Sequence, residues 1–453
     1  MQRIFAIAWL TWKAALRFRL FLVIAALLVL AVVGLPLIVK DDGTAAGFTQ
    51  IILTYTLSVV TFLLGISTLW LSCGTLARDI EECQIQVVAT KPIARWQIWL
   101  GKWLGIASLN AVLLVLAAAC IYGLLEWRAS KLPAAEQAQL RQQVLVARGS
   151  AKEASLDDDI DTETEQVLQN RLKENPVTSA DLPEVRRQIR EQVKAYYQLV
   201  PQNSVRVWKI DLGFAKNYLH DKPLQLRYKF NAADRNPSGT FVGEWQVGDP
   251  ESTNFVQMMQ ASLAPDTIHE LTIPPNLYNN NGTLVISFLN LNTTSLLFPL
   301  EDGMTVLFPR GTFTANFFRA LGIIFCWLVL LSAIGLMAAS FLSFPVAAFF
   351  SFAVLVVSFS SGTMAQTVEA ASTPGTPLSL MDYTIVPFFK GILSVLGLAE
   401  NFSPIDALST GASIPWGELA AAFGQIVLLL GGIFAILGIF LFHRRELATA
   451  QNQ

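Results

Sequence analysis

The feature that most limits how this chain can fold is a series of long stretches without a charged residue. The longest runs from Ala320 to Val368, and others run from Gly43 to Ala77 and from Trp103 to Leu125. A helix of about 20 apolar residues is needed to cross the hydrocarbon core of a bilayer. Only 15% of the 453 residues are charged, whereas soluble domains carry about 25% charged residues. The sequence therefore predicts a polytopic α-helical membrane protein.

The charge-free runs predict six transmembrane helices. The run that begins at Ala320 is too long for one helix and is assigned two, with a turn near residues 340–345. The first span is treated as an anchor because no small-x-small cleavage site follows it. A shorter apolar piece, residues 385–398, is interpreted as a re-entrant or interfacial helix. The predicted spans are residues 20–39, 48–73, 103–125, 320–339, 342–359 and 419–442.

Basic residues flank the predicted spans mainly on one side of the membrane. Lys and Arg beside transmembrane helices favour the cytoplasmic side, so both termini and the loop of residues 74–102 are predicted to be cytoplasmic. The segment of residues 126–316 is then extracytoplasmic, and Arg319 is a mild exception to the charge rule. The basic residues that set this orientation are Arg3, Lys13, Arg17, Arg19, Arg78, Lys91, Arg95, Lys102, Arg444 and Arg445.

The polar insertion of residues 126–316 divides by its hydrophobic periodicity. Residues 132–199 are polar with a helical period, which predicts a helical stalk or hairpin. One apolar stripe there favours packing against a neighbouring helix over docking of a partner: Leu182, Val185, Ile189, Val193 and Tyr197. Residues 205–308 alternate with period two between turn formers, which predicts an antiparallel β-sandwich. Trp245 is interpreted as a core residue in preference to a stacking platform for a sugar.

Sequence motifs for enzymatic chemistry are missing from the chain. It has three histidines and no HExxH, GxSxG, CxxC or GxxxxGK[ST] motif, so it cannot hold ATP phosphates by the P-loop route. The net charge of −2 does not favour nucleic-acid binding. No cysteine falls in the polar insertion, which excludes a disulfide-stapled domain; the four cysteines are Cys73, Cys83, Cys120 and Cys326.

The loop between the second and third predicted spans carries a recognisable pattern. Between Arg78 and Lys102 it reads RDIEECQIQVVATKPIARWQIWLGK, with an acidic pair, a Lys-Pro-Ile and a basic residue followed by an aromatic. This pattern resembles the cytoplasmic loop of ABC-2 type permeases, the transmembrane subunits of one class of ABC transporter. The chain end also resembles that family, with the turn Asn401-Phe-Ser-Pro and the closing Arg444-Arg445-Glu-Leu. The resemblance covers residues 1–125 and 315–453.

The resemblance implies a type V exporter-like fold and a permease subunit of an ATP-driven exporter in the bacterial cytoplasmic membrane. ATP and Mg²⁺ would bind a separate ABC ATPase subunit, and a second permease copy or a related permease would complete the pathway. The residues assigned to ATPase coupling are Glu81, Glu82, Lys91, Pro92, Ile93, Arg95 and Trp96. Anchoring to lipid headgroups is the alternative for the charged ones, and an interfacial position is the alternative for Trp96.

Polar residues without charge in the second span are assigned to the substrate pathway or, with equal weight, to interhelical hydrogen bonds. They are Thr54, Thr56, Ser58, Thr61, Ser67 and Thr68. Ordinary members of the family connect the third and fourth spans with only a few residues, whereas this chain has the large insertion there. The insertion therefore raises the hypothesis of an envelope partner. Two other functions stay open: a membrane-anchored binding or scaffolding protein without transport, and a polytopic membrane enzyme. An adjacent reading frame for a P-loop ATPase would favour transport over both.

Overall fold

The chain forms two compact units, residues 1–147 with 312–453 and residues 148–311. The computed structural model describes residues 2–17, 20–38, 45–85, 93–143, 145–174, 182–232, 234, 239–248, 255–279, 281–300, 303–359 and 402–445. Lys91, Pro92 and the apolar piece 385–398 lie outside these residues. The second unit is shorter at both ends than the predicted insertion of residues 126–316.

Helices dominate the first unit and contribute two members to the second. In chain order they are α1 (Gln2–Arg17), α2 (Leu20–Ile38), α3 (Ala45–Glu81), α4 (Arg95–Ala129), α5 (Ala134–Gln143), α6 (Asp157–Glu174), α7 (Leu182–Gln198), α8 (Phe313–Ala339), α9 (Phe344–Phe359), α10 (Pro404–Ser409) and α11 (Trp416–Arg444). The middle of α11 winds as a π-helix over Phe423–Gly431. Helices α6 and α7 belong to the second unit.

Four helices among the described residues are long and apolar enough to cross a membrane. They are Thr49–Glu81, Arg95–Ala129, Phe313–Ala339 and Trp416–Arg444. A fifth results if Gln2–Arg17 and Leu22–Leu35 are one span bent by 69°. Helix α9 is apolar but shorter. The prediction of membrane-length helices together with a β-rich region is confirmed. The prediction of six spans is not confirmed, because four of the described helices meet the required length.

The helices flanking the predicted cytoplasmic loop are longer than the sequence indicated. Helix α3 continues past residue 73 to Glu81, and α4 begins at Arg95 instead of residue 103. Charged residues are tolerated in these helical extensions because they pair with one another: Lys102 Nζ lies 2.5 Å from Asp79 Oδ2. The connection between the two helices therefore shrinks to residues 82–94.

Helix α8 is the centre of the first unit. In its most apolar stretch 78% of residues are buried, compared with 44% for α3 and 39% for α11. Helix α1 packs closely on α4 through Gly101 and Gly105, since a Cβ atom at Gly101 would lie 2.7 Å from Ile7 Cβ and one at Gly105 would lie 2.8 Å from Thr11 Cβ. Two glycines four residues apart let helix backbones approach in this way.

Antiparallel sheets make up most of the second unit, and the alternating runs of the sequence are their strands. The strands are β1 (Val146–Ala151), β2 (Leu199–Val200), β3 (Val205–Asp211), β4 (Leu224–Lys229), β5 (Asn231–Ala232), β6 (Phe241–Gly248), β7 (Phe255–Leu263), β8 (Ile268–Ile273), β9 (Thr283–Leu289), β10 (Leu296–Leu297) and β11 (Met304–Thr312). They form three sheets with the orders β1-β11-β4-β8, β2-β10-β5 and β3-β9-β6-β7.

Aromatic side chains fill the core of the β-rich region. Trp245 is fully buried, and its ring centroid lies 4.5 Å from that of Tyr228 and 4.7 Å from that of Phe288. Trp208 and Phe298 complete the cluster. These contacts support the core interpretation of Trp245 and leave no face of its ring open to a sugar.

Helices α6 and α7 pack against each other through the apolar stripe found in the sequence. Ile189 and Val193 are buried against Ile160 and Leu168, so the stripe is used for internal packing. The helical prediction for residues 132–199 fails at one place, because β1 occupies Val146–Ala151. Strand β1 lies beside β11 in its sheet, and this long-range pairing overrides the local helical pattern.

Candidate functional site

The residues assigned to coupling cluster at the ends of α3 and α4. Glu81 is the last residue of α3, and Glu82 lies in the turn that follows. Arg95 and Trp96 are the first residues of α4, and Ile93 stands just before them. These five residues lie at or next to the ends of the two helices, and two of them, Glu81 and Arg95, contact the ends of other helices in the first unit.

Arg95 caps the last span. Its Nη1 donates to the carbonyl oxygens of Phe442 at 3.1 Å, His443 at 2.7 Å and Arg445 at 2.9 Å. The last carbonyls of a helix have no partner within the helix and carry the negative end of its dipole. A guanidinium at this position therefore satisfies the C-terminus of α11 and fastens it to the start of α4.

Arg445 caps the C-terminus of α8 in the same way. Its Nη1 donates to the carbonyl oxygens of Ala339 at 3.2 Å, Ser340 at 3.3 Å and Leu342 at 3.4 Å, which close the C-terminus of α8. Burial lowers the pKa of Arg445, while the nearby charge of Glu81 raises it. From the sequence, Arg445 is interpreted as a topological charge and as part of the closing Arg444-Arg445-Glu-Leu motif, and neither interpretation indicates this capping role.

Glu81 caps the N-terminus of α9. Its Oε1 accepts a hydrogen bond from the backbone N–H of Phe344 at 2.8 Å, at the first residue of α9. Carboxylates stabilise helix N-termini because those N–H groups lack partners and the dipole is positive there. The guanidinium of Arg78 stands 4.5 Å from the centroid of the Phe344 ring, and Trp70 meets that ring edge-on at 5.0 Å. The end of α3 therefore holds the start of α9.

An ion pair ties α3 to α4 next to these caps. Lys102 is 7% exposed, and its ammonium donates to Asp79 Oδ2 at 2.5 Å and to the Thr75 carbonyl at 2.7 Å. The pair holds the two helices together close to the end of α3 and the start of α4. Both residues fall in the loop predicted from the sequence, and neither belongs to the predicted coupling set.

The remaining coupling residues face outward. Glu82 is exposed and accepts a hydrogen bond from Gln84 at 2.6 Å. Trp96 is 45% exposed. The predicted set thus separates into Glu81 and Arg95, whose side chains are engaged by other helices, and Glu82 and Trp96, which are accessible to another molecule.

The hydroxyl groups assigned to the pathway mostly bond to their own helix. Thr54, Thr56, Ser67 and Thr68 donate to carbonyls three or four residues earlier in α3. Ser58 is exposed, and Thr61 Oγ1 has no hydrogen-bond partner among the described residues. The first four hydroxyl groups therefore donate within their own helix. The assignment of the six residues to a substrate pathway stays a prediction.

The described residues contain no group of three or more His, Cys, Asp or Glu that could hold a metal ion. Comparison with known proteins does not identify a family for the chain. No protein-family model matches the sequence, and no curated protein matches it. The function is therefore inferred from the residues and contacts of this chain.

Proposed function

We propose that the chain is the membrane-spanning permease subunit of an ATP-driven transporter of the ABC-2 type, acting as an exporter in a bacterial cytoplasmic membrane. The observation that carries the proposal is the pair of helices α3 and α4, whose neighbouring ends are tied to α9 by Glu81 and to α11 by Arg95 and carry the accessible side chains of Glu82 and Trp96. The pattern of residues in this hairpin is also the one that resembles the cytoplasmic loop of ABC-2 permeases.

The length of the hairpin supports a docking role. Helix α3 has 37 residues and α4 has 35, which at about 1.5 Å per residue gives each more than about 50 Å. The hydrocarbon core is only about 30 Å thick, so the hairpin projects out of it. A soluble ATPase subunit that binds ATP and Mg²⁺ would meet the turn there, because this chain has no P-loop of its own.

The cap network gives a physical route for coupling. A displacement of the α3–α4 turn would act on α11 through Arg95, on α9 through Glu81 and, through Arg445, on α8. In the proposed topology α2, α3, α4, α8, α9 and α11 are the six spans, both termini are cytoplasmic, and residues 148–311 are extracytoplasmic. A second permease copy or a related permease would complete the pathway.

The proposal is tested by purifying the tagged full chain from its native membrane and identifying the proteins that accompany it. We expect a P-loop ATPase to co-purify with the wild type. Trp96→Ala should reduce its recovery by about 30-fold, the effect of losing a tryptophan worth about 2 kcal/mol at an interface. Trp127→Ala is the matched control, because Trp127 is 57% exposed near the opposite end of the same helix.

Two outcomes would overturn the proposal. If no P-loop ATPase accompanies the wild-type chain, the alternative of a membrane-anchored binding or scaffolding protein takes its place. If Trp96→Ala and Trp127→Ala recover the ATPase equally well, the α3–α4 turn is not the docking surface. Glu82→Lys provides an independent variant at the turn, and it should leave the caps made by Glu81 and Arg95 intact.

A further inference from the structure

Helix α1 presents a stripe of large apolar side chains that the described parts of the chain leave exposed. Phe5 is 66% exposed and Trp9 is 61% exposed, and Leu16 is exposed on the same side. At about 100° of rotation per residue, these three side chains fall within about 40° of one another around the helix. The buried residues Ile7 and Thr11 lie on the other side, where α1 packs on α4. Phe5, Trp9 and Leu16 are named the outer stripe.

Basic residues occupy a separate sector of the same helix. Arg3, Lys13 and Arg17 fall within about 80° of arc, between the outer stripe and the face packed on α4. Leu10 is an apolar exception in this basic sector, and a single exposed apolar side chain is ordinary. The ammonium of Lys13 lies 6.0 Å from the centroid of the Trp9 ring, so the basic sector adjoins the outer stripe. The sequence of α1 contains no acidic residue.

Helix α1 alone is too short to cross a membrane. Its 16 residues, at about 1.5 Å per residue, measure about 24 Å, whereas the hydrocarbon core is about 30 Å thick. The helix is also bent by 69° from the apolar segment Leu22–Leu35. When that segment crosses the bilayer near the membrane normal, α1 lies closer to the membrane plane. A helix in this position buries an apolar stripe at the headgroup boundary and turns basic residues toward the headgroups.

We propose that α1 binds anionic phospholipids at the surface of the bilayer that holds the first unit. The outer stripe enters the boundary between headgroups and acyl chains, where the indole of Trp9 is well accommodated. The basic sector binds the lipid phosphates, because three basic residues without an acidic one attract a negatively charged surface. Helix α1 packs on α4 at Gly101 and Gly105, so the same lipids hold the first turns of α4 in place. The inference does not depend on the transport function.

Amide hydrogen exchange of the full chain in lipid nanodiscs tests the binding. Two compositions are compared, phosphatidylcholine alone and phosphatidylcholine with an equal amount of phosphatidylglycerol. We expect peptides from α1 to exchange more slowly in the anionic nanodiscs. Each basic residue near an anionic surface contributes about a factor of five, so Lys13→Gln combined with Arg17→Gln should remove about 25-fold of this protection. In phosphatidylcholine alone, the double variant should exchange like the wild type.

Lys131→Gln is the matched control. Lys131 is exposed, and its ammonium lies 3.9 Å from the centroid of the Trp127 ring, as Lys13 lies over Trp9, but Lys131 follows the far end of α4. Its replacement should leave exchange in α1 unaltered in both lipids. Equal exchange of wild-type α1 in the two compositions would overturn the proposal. An equal loss of protection in both compositions for the double variant would overturn it too, because the basic sector would then act within the protein.

Photocrosslinking in native membranes separates a lipid from a protein partner. Phe5 is replaced by photoreactive benzoylphenylalanine in the full chain, and the irradiated chain is analysed by mass spectrometry. A mass increase equal to one phospholipid is expected, because the outer stripe lies among the lipids. An adduct with another protein would show that the outer stripe is a protein-binding face, and the assignment to lipid would be wrong.

Discussion

Replacing Arg95 by alanine is the most direct test of the cap network. The change removes every hydrogen bond from the guanidinium to the C-terminus of α11 while leaving α4 a good helix former at that position. The three carbonyl contacts come from one nitrogen, Nη1, which has two hydrogens, so about two full bonds are lost. Each contributes about 0.5–1.5 kcal/mol net, and the charge at the helix end adds about 0.3–1 kcal/mol. The side chain is only partly buried, so we expect a loss of about 2 kcal/mol.

This loss should appear locally as faster amide hydrogen exchange. About 2 kcal/mol corresponds to roughly 30-fold faster exchange, since 1.4 kcal/mol is a factor of ten in an equilibrium constant. We expect this in peptides that cover the last turn of α11, including the amide of Arg445, which donates to Leu441 O at 3.2 Å. Arg95→Lys retains the charge but not the planar donor fork and should give an intermediate effect.

The neighbouring residue supplies the control for this experiment. Trp96→Ala changes an exposed side chain in the same helical turn and should leave exchange at the end of α11 unaltered. If Arg95→Ala and Trp96→Ala gave the same exchange in these peptides, the capping role of Arg95 would be refuted. A change confined to α4 would refute it as well, because the cap acts on α11.

Three further predictions concern packing and titration. Gly101→Ala should destabilise the full chain by about 1–3 kcal/mol through overpacking and so lower its Tm, because the new methyl group would stand 2.7 Å from Ile7 Cβ. Gly123→Ala on the same helix is the control, since its methyl group would meet nothing within 4 Å and should raise Tm. A fragment of residues 148–311 should unfold cooperatively in urea. Trp245→Ala should lower its free energy of unfolding by about 3–5 kcal/mol. Equal urea midpoints for the wild-type and variant fragments would contradict the burial of this ring. Burial raises the pKa of Tyr228 to about 12 from its ordinary value near 10. The pKa of Tyr228 is higher in the folded state than in the unfolded state, so the free energy of unfolding of the fragment should fall as pH rises from about 10 to 12. The total loss should be about 2–3 kcal/mol. The Tyr228→Phe variant should not show this loss in the same pH range.

The sequence by itself determined the elements that depend on local pattern. Long runs without charge predict apolar helices, because a segment of about 20 apolar residues can cross a bilayer as a helix that satisfies all of its own backbone hydrogen bonds. Alternation with period two predicted the strand that contains Trp245 and also the inward direction of that side chain, since successive strand residues face opposite sides of a sheet. The stripe through Ile189 and Val193 predicted the packing face of α7 in the same way.

Sequence also placed the candidate site near Glu81 and Arg95, but only the tertiary structure decided what these side chains do. The partners of Arg95 are backbone carbonyls, one of them 347 residues away. Every residue has a carbonyl, so a cap of this kind leaves no mark on the sequence of the helix it closes. The extension of α3 to Glu81 and the strand at Val146–Ala151 were likewise set by long-range partners, an ion pair in one case and a neighbouring strand in the other. Local periodicity could not indicate either, because the stabilising contacts come from parts of the chain that meet only after folding.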